Sequence, residues 1–263
     1  MTVDREFWLR PFPKNHFPNW MCPKCGTGIL RPIEKTFSFD ESGDVTEERI
    51  KHGEYFDYDA YTFRYSVLLK CNYSNCQERV SSCGHGYVQG DEDFYFVEED
   101  GSPVTSYREM FVPEYFYPAL NLFPVSEKCP ERVATEINRS FKLFFAEPSA
   151  AANYVRKAIE EILTNKGVPR LSVGKRSKKV RISLHDRIVI FEATQPDIAK
   201  RLFALKWLGN EGSHANTITK NDVLDAYEIL EWAIDDLYVG YRKLIQRKVS
   251  KINRNRKPLH PST

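Results

Sequence analysis

The chain has 263 residues, of which 41% are hydrophobic, and this is enough to bury the core of one large domain or two smaller ones. Such a composition excludes a chain that is mainly disordered. Lysine and arginine total 38 against 36 for aspartate and glutamate, so the net charge of +2 gives no global indication of a nucleic-acid or membrane partner.

The first ten residues lack the features of an export signal. They include Asp4, Arg5 and Glu6 and contain no apolar stretch followed by a small-residue cleavage site. No window approaches 18 consecutive apolar residues, so no membrane span is predicted. We therefore expect a cytoplasmic protein whose six cysteines stay reduced. In the reducing cytoplasm, close cysteine pairs bind metals more often than they form disulfides.

Composition changes near residue 130. The preceding part is aromatic and rich in proline and glycine, and it predicts short strands at residues 28–39, 61–70, 80–88 and 94–97. The following part has apolar residues at spacings of three and four, which predicts helices. The fold class is therefore α+β: a small β zinc ribbon within residues 1–125, an all-α bundle over 126–250 and a basic, flexible tail at 251–263.

Proline, glycine and capping residues mark the predicted helices. These helices cover residues 131–145, 148–165, a segment from about 183, another from 196, and a long helix over 220–247. Thr219 and Asp222 resemble a capping box for the last of them. Gly209 and Gly212 each disfavour helix by about 1 kcal/mol relative to alanine, so the fourth helix is predicted to end or kink there.

Two pairs of cysteines have the spacing of zinc knuckles. Cys22 and Cys25 form a CxxC pair, and Cys71 and Cys76 form a second pair with four residues between them. Four thiolates can surround one Zn²⁺ as a tetrahedron and leave no open position for catalysis, so a structural zinc site is predicted. The alternative is two unrelated pairs of thiols. Strands between the pairs would have to bring the two knuckles together.

Two further cysteines and a nearby histidine also have side chains that could bind a metal. Cys83 and His85 lie close enough in sequence to replace a weaker ligand, but we predict that they do not. Cys129 has no local partner and is predicted to be a small buried side chain.

Several motifs together resemble the bacterial domain-of-unknown-function family 4145 (DUF4145). They are the segment from Trp20 to Cys25, the later cysteine pair, and Leu-Lys-Trp-Leu-Gly-Asn-Glu-Gly-Ser-His at 205–214 ahead of a long amphipathic helix. Residues 154–163 and 184–188 match in the same order, so the resemblance extends over nearly the whole chain. It implies a HEPN-like helical bundle, and many HEPN proteins are metal-independent ribonucleases in toxin, antiviral or RNA-processing systems, while others are inactive scaffolds.

The resemblance also implies a candidate catalytic site. The HEPN signature is Arg, a polar residue, three arbitrary residues and His; Asn210 and His214 match it, whereas Gly209 stands in place of Arg. Lys206, expected to be exposed, or Arg201 would supply the missing cation. His214 would then act as the base for a ribose 2′-hydroxyl and Asn210 would orient the substrate. Alternatively, these residues only end a helix and seal a turn.

A basic cluster follows the second helix of the bundle. It places six cations in a segment without acidic residues: Arg170, Lys175, Arg176, Lys178, Lys179 and Arg181. Such a cluster could bind RNA or DNA phosphates, although an ordinary solvated loop would look the same because no aromatic residue is interleaved for stacking. Acidic residues at 91–93 and 98–100 would repel nucleic acid, so we expect binding in the helical half.

These patterns leave two functional hypotheses. The first is a HEPN-like metal-independent endoribonuclease, or an RNA-binding component, of a bacterial antiviral defence or restriction system. The second is a non-catalytic nucleic-acid-binding or protein-interaction scaffold with a structural zinc site. Because HEPN relatives often dimerise with their motifs facing each other, the resemblance also implies a homodimer, with defence-system proteins as further partners.

Overall fold

The computed structural model describes residues 3–97, 103–173, 179–211 and 218–258. The chain forms two compact units. The β unit contains Asp4–Asn121 and Phe141–Glu147, and the helical unit contains Met1–Val3, Leu122–Ser140 and Pro148–Thr263. This architecture confirms the predicted α+β class. Within the described residues no helix is both long enough and apolar enough to cross a membrane.

The β unit is built on a six-stranded antiparallel sheet. Its strand order is β1-β6-β5-β4-β2, and β3 also pairs with β4. The elements are α1 (Arg5–Leu9), β1 (Phe12–Pro13), β2 (Leu30–Pro32), β3 (Ser38–Glu41), α2 (Gly43–His52), 3-10 turns at Gly53–Tyr55 and Tyr58–Ala60, β4 (Thr62–Cys71), β5 (Arg79–Val97) and β6 (Pro103–Tyr117).

The inner face of this sheet forms an aromatic core. Alternate residues of β4 are buried from Phe63 to Cys71, as expected for a strand with one face inside. Trp20 is 2% exposed and packs edge-on against Phe12 and Phe116, with ring centroids 5.4 and 4.9 Å away. Because Trp20 lies two residues before Cys22, the core holds the first knuckle in place.

The strand predictions for this unit were only partly correct. The predicted strand at 28–39 is interrupted after Pro32, and the predicted strands at 80–88 and 94–97 are parts of one strand, β5. Strand β6 and helix α2 were missed. Charged residues and Pro113 obscure the alternation of β6, and α2 has only Val45 buried, so it lacks the apolar periodicity by which helices are found.

The helical unit follows the predicted order of helices more closely. Its elements, in chain order, are α3 (Glu131–Leu143), α4 (Pro148–Asn165), β7 (Leu171–Val173), β8 (Lys179–Arg181), α5 (Leu184–Glu192), α6 (Pro196–Glu211), α7 (Lys220–Ile234), a π-helical segment at Asp235–Val239 and α8 (Tyr241–Asn255). The capping box of Thr219 and Asp222 is confirmed. In the core, the Ser140 hydroxyl donates to the Ala151 carbonyl at 2.7 Å and lies 2.8 Å from the Tyr227 hydroxyl.

Three predictions for the helical unit need correction. Helix α6 continues through Gly209 to Glu211, because its buried residues Leu202 and Leu205 compensate for the low helix propensity of glycine. The predicted long helix is instead divided at Gly240, which has a positive φ of 73°. Helix α8 then continues to Asn255, so the first five residues of the predicted tail are helical.

Candidate metal centre

The four knuckle cysteines meet in one cluster. The Sγ atoms of Cys22, Cys25, Cys71 and Cys76 all lie within 4.8 Å of one another. The short contacts join different knuckles, with 3.7 Å between Cys22 and Cys76 and 3.8 Å between Cys25 and Cys71. The alternative of two unrelated thiol pairs is therefore wrong.

The spacing of these sulfur atoms matches a tetrahedral metal site. Four metal–sulfur bonds of about 2.3 Å around one ion separate neighbouring sulfur atoms by about 3.8 Å. The two short contacts have this length. With four thiolates bound, such an ion has no open position for a substrate or a reactive water.

Each knuckle is shaped by its own backbone hydrogen bonds. In the first, the Cys22 N–H donates to the Gly28 carbonyl at 2.8 Å, and the Gly28 N–H points at Cys25 Sγ over 3.3 Å. In the second, between β4 and β5, the Cys71 N–H donates to the Glu78 carbonyl at 2.8 Å. The Tyr73 N–H lies 3.4 Å from Cys71 Sγ. In both turns a backbone N–H therefore points at a cysteine sulfur atom of the cluster.

Strand β2 connects the two knuckles. Leu30 pairs with Cys71 in the register of β2 and β4, and the Asn72 side chain accepts from the Ile29 N–H at 2.8 Å. This pairing brings the second knuckle back to the first, although the two cysteine pairs lie far apart in the sequence. The two knuckles also approach each other closely, because a Cβ on Gly28 would lie 2.4 Å from Cys71 Sγ. Only glycine fits there without displacement of a ligand.

The thiols differ in their ionisation. N–H donors from Gly28 and Thr27 lower the pKa of Cys25 to about 6, whereas burial raises the pKa of Cys22 to about 12 and also raises the pKa of Cys71. Metal binding requires thiolates. The cluster therefore combines one thiol that ionises readily with buried thiols whose charge needs a cation beside it.

The remaining metal-ligating side chains lie outside the cluster. Cys83 is exposed on β5, and His85 Nδ1 is 2.8 Å from Glu114 Oε1. Neither belongs to the cluster of four thiols. Cys129 is buried as predicted, and burial raises its pKa to about 11.

The candidate catalytic residues of the helical unit are described only in part. Lys206 is 8% exposed, so it is not the exposed cation that was expected; its ammonium lies 3.7 Å from the centre of the Trp207 ring. Arg201 donates to Asp236 at 2.5 Å. Asn210 belongs to α6, but its side chain and all of His214 lie outside the described residues.

The basic cluster includes a two-stranded antiparallel hairpin, β7–β8, rather than being wholly a loop. Arg170 pairs with Glu161 at 2.5 Å and Arg181 pairs with Glu160 at 3.2 Å. Sequence reasoning missed these two glutamates because they belong to the preceding helix, α4. Lys179 is exposed, whereas Lys175, Arg176 and Lys178 lie outside the described residues.

Buried Arg187 on α5 fixes the same region and was not anticipated from the sequence. It is 2% exposed and donates to the Glu160 carbonyl at 3.2 Å, to Thr164 Oγ1 at 2.8 Å and to the Val168 carbonyl at 3.1 Å. Burial lowers the pKa of its guanidinium. Its contacts join α4, α5 and the segment before the hairpin.

Family models divide the chain in a similar way. Residues 138–255, which contain α4 to α8, match the domain of unknown function DUF4145. The helical part of the chain therefore contains a DUF4145 domain. Residues 10–116, which contain both cysteine knuckles, match a different model, the domain of unknown function DUF8608. No curated protein and no solved structure matches the chain.

These matches refine the resemblance noted in the sequence. The DUF4145 model covers the Leu205–His214 motif but does not include the cysteine pairs. The expectation that this resemblance extends over nearly the whole chain is therefore corrected, since the knuckles belong to the part that matches DUF8608.

Proposed function

We propose that the four cysteines bind one structural Zn²⁺ and that the DUF4145 domain binds RNA without cleaving it. The zinc assignment is supported by the donor set, because four thiolates at tetrahedral spacing are typical of zinc. Since all four positions are filled by protein, the metal stabilises the β unit and takes no part in a reaction.

One observation carries the RNA-binding proposal: the hairpin β7–β8 is anchored by its outer cations. The pairs of Arg170 with Glu161 and of Arg181 with Glu160 neutralise these two arginines. The other four cations of the cluster lie between them in the sequence: Lys175, Arg176, Lys178 and Lys179. A pair of strands fixed by ion pairs at its base, with four further cations between those pairs in the sequence, suits phosphate binding.

The hairpin proposal predicts a change in salt dependence. Replacing Lys175, Arg176, Lys178 and Lys179 by Gln should weaken binding of a single-stranded RNA and lower the slope of log K against log salt by up to about 3, at about 0.7 per phosphate contact. A matched control replaces four exposed cations elsewhere: Lys128, Arg132, Lys142 and Lys200. Fluorescence anisotropy at several salt concentrations measures both. Equal slopes for the two variants would contradict the proposal.

The contacts of the candidate catalytic cations favour binding over cleavage. Lys206 is buried against Trp207, and Arg201, whose side chain is 25% exposed, is paired with Asp236. Neither therefore offers a charge that is both exposed and unpaired to a phosphate. A second candidate function is still supported by α6. Because this helix continues through Gly209, Lys206 and Asn210 lie one turn apart on the same face, as a ribonuclease site requires.

The ribonuclease candidate makes an opposing prediction. If the motif cleaves RNA, metal-free buffer should permit cleavage to 2′,3′-cyclic phosphate products, and DNA should resist because it lacks the 2′-hydroxyl. His214→Ala should then reduce the rate by about 10² to 10⁴. Under the binding proposal, labelled RNA stays intact on a denaturing gel for the parent chain and for His214→Ala. Cleavage that His214→Ala abolishes would establish the second candidate instead.

We also propose a biological role and an oligomeric state. Membership in the DUF4145 family, together with the likeness to HEPN proteins, supports a role as an RNA-binding component of a bacterial antiviral defence or restriction system. The same likeness supports a homodimer. Sedimentation of the purified chain tests the dimer, and a single monomeric species at micromolar concentration would contradict it.

A further inference from the structure

The outer face of the β-unit sheet carries a row of cations. Arg31 is paired with Lys70 in the register of β2 and β4, and Lys70 is paired with Arg79 in the register of β4 and β5. Opposed residues of antiparallel strands point to the same face with Cβ atoms about 4.5–5.5 Å apart, where like charges destabilise each other. The row is therefore a place where binding of an anion would be favourable.

One carboxylate, that of Glu78, lies next to this row. Among the ion pairs of the described residues, none involves Arg31, Lys70 or Arg79. The Glu78 carboxylate accepts from the Arg79 N–H at 3.1 Å and its charge acts on Arg79, but its ion pair is with Lys24 at 3.2 Å. Arg31 and Arg79 are exposed and Lys70 is half-buried, so all three charges are available to a ligand from solvent.

Two tyrosines stand beside this row on the same face. Tyr117 is opposite Ser81 and Tyr115 is opposite Cys83 in the register of β5 and β6. Their side chains are 80% and 54% exposed. They line a shallow groove of about 450 Å³ together with Ser66, Ser81 and Cys83, and these small neighbours leave the tyrosine rings standing above the sheet. The volume is within the range of sites that hold small organic groups, about 300–1,000 Å³.

We propose that this face binds single-stranded nucleic acid. The phosphates would lie along Arg31, Lys70 and Arg79, and unpaired bases would stack on Tyr115 and Tyr117. Exposed aromatic rings beside cations on a sheet suit unpaired bases, because stacking accepts any base and needs no base-pair partner. A duplex keeps its bases stacked inside and could use only the cations.

The first residue of the acidic segment lies too far from this row to prevent such binding. Asp91, the first of its residues, is on the same strand as Arg79. At about 3.3 Å per residue the two are separated by roughly 40 Å along β5, which is several Debye lengths at physiological salt. The expectation that nucleic acid binds only in the helical half therefore does not apply to this face.

Binding of a uridine dodecamer tests this surface, measured on the full chain with Lys175, Arg176, Lys178 and Lys179 replaced by Gln so that the hairpin β7–β8 does not contribute. Tyr115→Ala with Tyr117→Ala should weaken binding about tenfold or more, since each stacked base contributes roughly 1–3 kcal/mol. Tyr55→Ala, which removes a 93% exposed tyrosine elsewhere in the β unit, should change it less than twofold. A duplex of the same length should bind at least tenfold more weakly than the single strand. The proposal is overturned if the double tyrosine variant binds the dodecamer as tightly as Tyr55→Ala does. It is also overturned if the duplex binds as tightly as the single strand.

The cation row is tested separately. Replacing Arg31, Lys70 and Arg79 by Gln should lower the salt slope by about 2 and leave the zinc content unchanged, whereas Gln at Arg10, Lys35 and Lys51, which are exposed elsewhere in the unit, should leave the slope unchanged. If the row instead balances the charge of the thiolates near Cys71, the first variant loses zinc and keeps its salt slope, and the proposal fails.

The result is distinguishable from that of the hairpin β7–β8. Dodecamers carrying 4-thiouridine should crosslink to peptides that contain Cys83 or Tyr115 even when Lys175, Arg176, Lys178 and Lys179 are replaced by Gln. Crosslinks confined to the hairpin would overturn the sheet-face proposal, while crosslinks confined to the sheet would overturn the hairpin proposal.

Discussion

Cys71→Ser should reduce the bound zinc from about one ion per chain to nearly none and unfold the β unit. The four Sγ atoms form a single cluster, so losing one thiolate removes a quarter of the ligands. Structural zinc in small domains binds with apparent free energies of about 10–16 kcal/mol, which is comparable to the whole stability of a domain, about 5–15 kcal/mol. Cys22→Ser should act in the same way.

Elemental analysis and limited proteolysis measure the two effects. Cleavage sites should appear within residues 12–117 of the Cys71→Ser protein but not of the parent. Cys83→Ser is the matched control, because Cys83 is an exposed cysteine in the same sheet and outside the cluster. The account is contradicted if Cys71→Ser keeps its zinc and its protease resistance, or if Cys83→Ser loses them.

Gly28→Ala should have the second-largest effect, although it changes no ligand. The added Cβ would lie 2.4 Å from Cys71 Sγ and 2.8 Å from Tyr73 Cβ, so the second knuckle has to move away from the first. Overpacking of this kind typically costs about 1–3 kcal/mol, and displacement of a ligand should in addition weaken zinc binding. Titration with a competing chelator and thermal unfolding measure these two quantities.

Gly43→Ala provides the control for this substitution. Gly43 is the first residue of α2, and a Cβ there would meet no atom within 4 Å. Its melting temperature should stay the same or rise slightly, since alanine restricts the unfolded chain more than glycine does. Equal zinc affinity for Gly28→Ala and Gly43→Ala would show that the close approach of Gly28 to Cys71 is not needed for the site.

The features that could be predicted from the sequence depend on local chemistry. The cysteine spacing identified all four members of the cluster. Pro148 and the capping box of Thr219 and Asp222 correctly marked where two helices begin. Each signal involves only a few neighbouring residues. The two knuckles could then meet once the strands between them placed the second knuckle beside the first.

The missed features depend on contacts between distant segments. Gly209 was interpreted as a helix breaker, yet a Cβ there would be 3.2 Å from Arg156 Cβ and 3.3 Å from the Ala152 carbonyl, so the glycine permits close packing of α6 on α4. The glutamates that pair with Arg170 and Arg181 belong to α4. The cation row of Arg31, Lys70 and Arg79 forms only through strand register. None of these relations appears as a sequence pattern.

The central claim is that Cys22, Cys25, Cys71 and Cys76 close a four-thiolate zinc site. X-ray absorption at the zinc edge of freshly purified, unchelated protein tests this most directly, because it reports both the metal and its ligand shell. We expect one zinc per chain with four sulfur neighbours at about 2.3 Å and no nitrogen or oxygen ligand. A shell containing nitrogen or oxygen at about 2.0–2.2 Å, or protein without zinc, would contradict the account.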